Sequence, residues 1–183
     1  EVTIVDRSIP RLRQIDEMFN GRVRTRYSTL ETIEHEVSIA DAVIGAVLIP
    51  GASAPRLVTR EMLKHMKPGS VLVDVAIDQG GCFETSRPTT HADPTYVVDG
   101  IIHYCVANMP GAVPQTSAAA LNNATLPYGL ALANKGVAAL ESSTETGRGL
   151  LAGLNVHEGK VTSQAVAESL NLEFVAPATA LAA

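Results

Sequence analysis

The chain has 183 residues, 46% of them hydrophobic, which suits one domain, or one domain and part of another, around a buried core and excludes disorder. Its net charge of −5, its lack of Trp and its 4% aromatic content argue against nucleic acid or anionic lipid as a partner. Two cysteines without paired spacing, no apolar run of the ~20 residues that a bilayer requires and no basic-then-apolar leader lead us to expect a cytoplasmic protein with reduced thiols.

Val2 to Val5 is β-branched and apolar and predicts a buried strand closed by Asp6. It starts with no lead-in, which suggests a piece of a longer chain. Ser8 as N-cap and Pro10 in the first turn open a helix over 11–19, with Leu12, Ile15, Met18 and Phe19 on one face and Asn20-Gly21 as its stop. Val23 to Tyr27 reads as a short strand, and Arg22, Arg24 and Arg26 as its solvated face. A helix follows over 29–39, capped by Ser28 or Thr29. Residues 42–49 are apolar but for Gly45, the pattern of a strand buried on both faces. A loop over 50–55 leads to a short helix over 59–66, capped by Thr59, which ends before Pro68-Gly69. Residues 71–77 predict the next buried strand, running straight into a polar, glycine-rich turn. Two short strands, 96–98 and 101–106, flank a turn at Asp99-Gly100.

This alternation predicts an α/β fold, a parallel sheet with right-handed crossovers. The texture changes near residue 115. Residues 116–140 are rich in Ala and Leu and helix-prone apart from Pro127, and an amphipathic helix over 163–170 follows a glycine-rich stretch. The division expected is 1–115 and 116–183.

In open α/β sheets ligands sit beyond the carboxyl ends of strands. Three such exits stand out: Asp6, the segment ending at Asp78, and Val106 to Met109. A carboxylate at Asp6 can accept from both adenosine-ribose hydroxyls of NAD, or serve the helix that follows; Arg7 beside it leaves NADP open. Asp78 can accept a proton or hold an amine, whereas the local sequence by itself favours a turn aspartate bonded to the amides of Gly80 and Gly81. Asp74 lies within the strand, must find a partner if buried, and reads as structural. No two of the five histidines stand four apart, and none pairs with a cysteine spacing, so no metal site is expected. Cys82 reads as a small buried thiol.

Five stretches carry a resemblance: Gly45-Ala-Val-Leu-Ile-Pro-Gly51, His65-Met-Lys-Pro-Gly69, Asp74-Val-Ala-Ile-Asp-Gln-Gly-Gly-Cys82, Ser86-Arg-Pro-Thr-Thr90 and Tyr104-Cys-Val-Ala-Asn-Met-Pro-Gly-Ala-Val-Pro114. Together they resemble the C-terminal portion of the alanine dehydrogenase and nicotinamide nucleotide transhydrogenase family. The resemblance implies a Rossmann-like doubly wound parallel sheet without its first strand and Gly-rich loop, then a long helix and part of a substrate domain. The implied reaction is the reversible, NAD-dependent oxidative deamination of L-alanine to pyruvate and ammonium. The implied catalytic residue is Asp78. The implied cofactor contacts are Asp6 and Arg11 at the ribose, Ser28 on the adenine side, Val47 and Leu48, Val75, Ala76, Ile77 and Asp78 toward the nicotinamide, Arg87, and Val106, Ala107, Asn108 and Met109. A homo-oligomer, a hexamer in the family, is implied as well. The family's substrate-binding lysine and arginine and its catalytic histidine have no counterparts in these residues, so the chain by itself is expected to be inactive on alanine. The alternatives are the soluble NAD-binding subunit of a transhydrogenase and a non-catalytic nucleotide-binding module.

Overall fold

The computed structural model describes residues 1–47 and 54–182. These fall into two compact units that divide between Met109 and Pro110.

The first unit opens with β1 (Thr3–Asp6), which pairs in parallel with β2 (Arg24–Tyr27), Asp6 opposite Tyr27. Between them lies α1 (Ile9–Phe19). The Ser8 hydroxyl caps it by accepting from the Arg11 amide, Pro10 lies in its first turn, and Asn20 closes it at φ 50. Of the face seen in the sequence, Leu12 and Ile15 are buried, while Met18 and Phe19 remain exposed. Arg24 and Arg26 are solvated and form surface ion pairs with Glu1 and Glu36. Next comes α2 (Leu30–Ile39), whose cap is Thr29 rather than Ser28.

A second sheet holds β3 (Ala42–Gly45), β4 (Val71–Asp74), β5 (Thr95–Val98) and β6 (Ile101–Tyr104) in the order β3-β4-β6-β5. The first three of these are parallel, and β5 returns antiparallel to β6. Asp99 (φ 51) and Gly100 (φ 82) both take left-handed backbone, the hairpin turn that an Asp-Gly pair favours. The short α3 (Arg60–Leu63) precedes β4, with the Thr59 hydroxyl as its cap.

The helix expected over 59–66 covers only Arg60–Leu63, the strand expected over 101–106 ends at Tyr104, and two further expectations change. The apolar run from Ala42 is not buried on both faces: Ala42 and Ile44 share a face and are exposed, Ile44 to 68%, while residues 48–49 of that run and 50–53 of the expected loop lie outside the described residues. The strand from Val71 ends at Asp74, not Ile77. The chain then turns through a 3₁₀ segment, Ile77–Gln79, so Asp78 stands in a turn beyond the strand. The core of this unit gathers Val37 from α2, Val58, Met62, Leu63 and Met66 around α3, Leu72, Ile101, Cys82 and Phe83. Full burial of each large apolar side chain contributes ~1.5–3 kcal/mol.

Gly45, the break in the apolar run, has a packing reason. A Cβ there would overlap Cys82 Sγ and lie 2.6 Å from the Phe83 ring. The missing side chain is the space in which the glycine-rich turn docks against β3.

The second unit begins with α4 (Pro114–Lys135), which contains Pro127 and has no buried residue. It continues through α5 (Glu145–Ala152), the hairpin β7 (Val156–His157) and β8 (Lys160–Val161), α6 (Gln164–Leu170) and α7 (Pro177–Leu181). None of the described helices is long and apolar enough to cross a membrane.

Candidate active site

Strand register places three of the expected segments at one end of one sheet. Gly45 stands opposite Asp74, and Val73 opposite Tyr104. Val47, the turn from Val75 to Asp78 and the segment from Val106 to Met109 therefore all follow the carboxyl ends of neighbouring parallel strands. Val47 packs partly buried against the core. Leu48, also expected as a contact, lies outside the described residues. Ala76, Ile77 and Val106 turn their side chains into the core, whereas Val75 is 50% exposed and Asn108 is exposed at φ 59. These core-facing residues offer a ligand their backbone rather than their side chains.

Asp6 and Ser28 form a second group, on the β1–β2 sheet. The Ser28 amide donates to the Asp6 carbonyl at 3.0 Å. One carboxylate oxygen of Asp6 accepts from the Ser8 amide at 2.7 Å, so Asp6 does serve the helix that follows. Its second oxygen meets no donor among the described residues. Arg11 is exposed and reaches Gln14 at 3.3 Å. Among the described residues no strand ladder joins this sheet to the other, and α2 packs against β1 and against α3.

Asp74 and Asp78 separate sharply. Asp74 has no solvent exposure. Its carboxylate accepts from the amides of Cys82 at 2.9 Å and Phe83 at 3.4 Å, from the Cys82 thiol at 3.5 Å and from the Ser86 hydroxyl. Burial, reinforced by the adjacent Asp74 charge, pushes the Cys82 thiol up to about 12, so it is an inert packing group. Asp78 is exposed, and no described group donates to it. The amides of Gly80 and Gly81, which a turn aspartate would have taken, donate instead to the carbonyls of Ile77 and Ala76. Next to Asp78, the Gln79 side-chain oxygen is buried without a donor among the described residues. A buried acceptor left open in this way fits a ligand that brings an amide N–H.

Arg87 is exposed, and its guanidinium lies 4.0 Å from the centroid of the Tyr96 ring. Its amide donates to the Tyr96 hydroxyl, which in turn donates to the Thr85 carbonyl. Burial, then the neighbouring Cys105, pushes the Tyr96 hydroxyl well above its usual range. Tyr96 stacks on His103, which is fully buried. Nδ1 of His103 faces the Ile101 carbonyl at 3.0 Å, so it carries the proton, and Nε2 accepts from the Thr85 hydroxyl at 2.7 Å. Burial holds this imidazole below its usual range. His91 donates to the Asn108 carbonyl at 3.0 Å and braces that segment.

Sequence reasoning did not single out Gln79, Ser86, His91 or Tyr96. Ser86 lies 12 residues from Asp74, and Tyr96 lies 9 from Arg87, so local spacing offered no signal for them. In the second unit a hollow of about 280 Å³ is lined by α4 and the segment before α5, including Pro127, Lys135 and Glu141; it holds none of the expected site residues.

Residues 1–164 match the family described as alanine dehydrogenase/PNT, C-terminal domain. An alanine dehydrogenase of Halomonas elongata is 60% identical over 98% of this chain and 47% of its own length. One from Mycolicibacterium smegmatis is 56% identical over 99% of the chain and 48% of its own length. The chain thus spans about half the length of the curated relatives it matches. Among solved structures, an L-alanine dehydrogenase superposes with a TM-score of 0.80 at 48% identity, covering 93% of this chain and 46% of the other. A transhydrogenase from Sinorhizobium meliloti gives a TM-score of 0.54 at 31% identity over 63% of this chain and 32% of the other.

Proposed function

The chain belongs to the alanine dehydrogenase/PNT C-terminal domain family, and on that premise we propose that it forms the NAD-binding part of an alanine dehydrogenase, with Asp78 as its catalytic carboxylate. The observation that carries this reading is the shared rim: Asp78, exposed and without a donor among the described residues, stands on the same sheet end as Val47 and Val106 to Met109. Higher identity and wider coverage favour the dehydrogenase over the transhydrogenase subunit.

In this reading the sheet is the doubly wound type. Written as β2-β1, a gap, then β3-β4-β6, the strands fit the order 3-2-1-4-5-6 with position 1 open. The cofactor domain runs over 1–115, and 116–183 connects to and completes a substrate domain. The absence of buried residues in α4 supports packing of that helix against further protein, as a homo-oligomer would supply.

When bound, NAD would supply the acceptor for the hydride that leaves the alanine Cα. The residues described here suit that ligand. The second Asp6 oxygen, which meets no donor among the described residues, would accept from the ribose hydroxyls beside Ser28, and the exposed Arg11 and Arg87 would face the ligand's charged groups. The backbone of Val75 to Asp78 and of Val106 to Met109 would hold the ring from two adjacent strand exits, and the Gln79 oxygen, without a donor among the described residues, would accept from the carboxamide. The Asp78 carboxylate stabilises the cationic imine and takes a proton as water adds to the imine carbon.

The test is Asp78→Asn in a full-length family protein that carries these residues. NAD affinity is expected within about twofold of wild type while turnover falls by about 10²–10⁴, the range for loss of an acid–base group. Wild-type turnover in that variant sinks the assignment.

A further inference from the structure

The proposed reaction leaves the buried carboxylate of Asp74 without a task. A carboxylate withdrawn from water persists only where donors replace the water. Here they come from three points of one turn, Cys82, Phe83 and Ser86. The turn is closed around them. Gly81 sits at φ 78, and a Cβ there would lie 2.8 Å from both Asp74 Oδ2 and Ser86 Cβ.

The network does not end at this turn. The Ser86 hydroxyl donates to Asp74 and accepts from the Cys105 thiol at 3.9 Å. Cys105 is fully buried and directly precedes Val106. The Cys105 carbonyl accepts from the Thr89 amide at 2.9 Å, and the Thr89 carbonyl accepts from the Ala107 amide at 3.2 Å. Arg87 follows Ser86 and is held at its amide by Tyr96. One carboxylate thus lies at the junction of the Asp78 turn, the Arg87 segment and the Val106–Met109 segment.

We propose that Asp74 is a positioning residue, whose buried carboxylate, through the Cys82 and Phe83 amides and the Ser86 hydroxyl, sets the Asp78 turn in register with the Val106–Met109 segment. The catalytic consequence rests on the dehydrogenase reading above. Asp78 then needs no support of its own, because the turn that carries it is held from beneath. A misplacement of about 1 Å at a reacting centre can cost ~10²-fold in rate, which gives this anchoring a kinetic signature.

The test compares Asp74→Asn and Ser86→Ala in a full-length family protein that carries these residues. Ser86→Ala removes one donor and retains both amide bonds, so it keeps the proposal testable where Asp74→Asn does not fold. In Ser86→Ala, kcat per folded molecule is expected to fall about tenfold or more, with KM for NAD within about twofold. Amide exchange is expected to quicken both at 77–83 and at 105–109, and not in α4. A group that only stabilises the fold would lower the melting temperature and leave kcat per folded molecule at the wild-type value; that result overturns the proposal. Faster exchange confined to 77–83 overturns the coupling between the two segments. Should the wild-type protein make no NADH from alanine, the dehydrogenase reading fails, and the exchange pattern decides the positioning role alone.

Discussion

The base and the tip of the glycine-rich turn hold the same residue type four positions apart, under opposite conditions. Asp74 at the base is fully buried and accepts from two amides, a thiol and a hydroxyl. Asp78 at the tip is exposed, and no described group donates to it. The contrast teaches how a small site divides its work. Asp74 is held where water is excluded and donors from the turn replace it. Asp78, proposed to exchange protons, faces solvent, and on the proposal above its position is set from the base.

The largest effect expected from breaking the base comes at Gly45. Its missing side chain is the space that Cys82 and Phe83 fill. Gly45→Ala forces those side chains or β3 aside, a cost of ~1–3 kcal/mol for overpacking. It is expected as a lowered denaturant midpoint with an unchanged slope. A midpoint equal to wild type would mean that the turn is not seated against β3.

His103 sharpens the same contrast through pH. The ring lies fully buried beneath Tyr96 and bonds to Thr85, next to Ser86. Burial lowers its pKa from the usual 6.5, while Asp74 and Asp99 pull it back and Arg87 adds to the lowering. The unfolded chain therefore takes up a proton before the folded one does. The stability is fully present above 6.5 and is lost as pH falls from there toward the depressed folded value. Stability is expected to fall between about pH 7.5 and 5.5 by more in wild type than in His103→Gln, because the variant has no imidazole to charge. Equal losses in the two proteins would remove His103 as the cause.

Local signals were the legible part of this fold. The caps at Ser8, Thr29 and Thr59 and the Asp99-Gly100 turn depend on atoms within a few residues, and each stands where the sequence pointed. The run from Ala42 misled because apolar content does not say whether both faces of a strand are covered: the face of Ala42 and Ile44 is open. The strand from Val71 read three residues too long, since Val75, Ala76 and Ile77 continue its apolar pattern while the backbone already turns. In the second unit, α5, the β7–β8 hairpin and α7 were not foreseen; they are short, and glycine within α5 masks its helical period. Of the candidate site, the strand exits were legible, and so was the need of Asp74 for partners. The partners themselves were not, because Ser86 reaches that carboxylate, and Cys105 reaches Ser86, only through the tertiary fold.

The smallest effect tests the tip. Asp78→Asn exchanges one carboxylate oxygen for an amide of nearly the same shape. No described group donates to Asp78, and the neighbouring glycine amides are already taken by Ile77 and Ala76. The substitution thus strands no buried donor and opens no cavity. Unfolding free energy is expected to change by no more than ~0.5 kcal/mol, the range for exposed positions outside any network. This is the same variant whose turnover is expected to collapse, and the two measurements belong together. A stability loss as large as that of Gly45→Ala would show that Asp78 holds the turn as Asp74 does. The division between an anchored base and a free tip would then be wrong, however large the loss of activity.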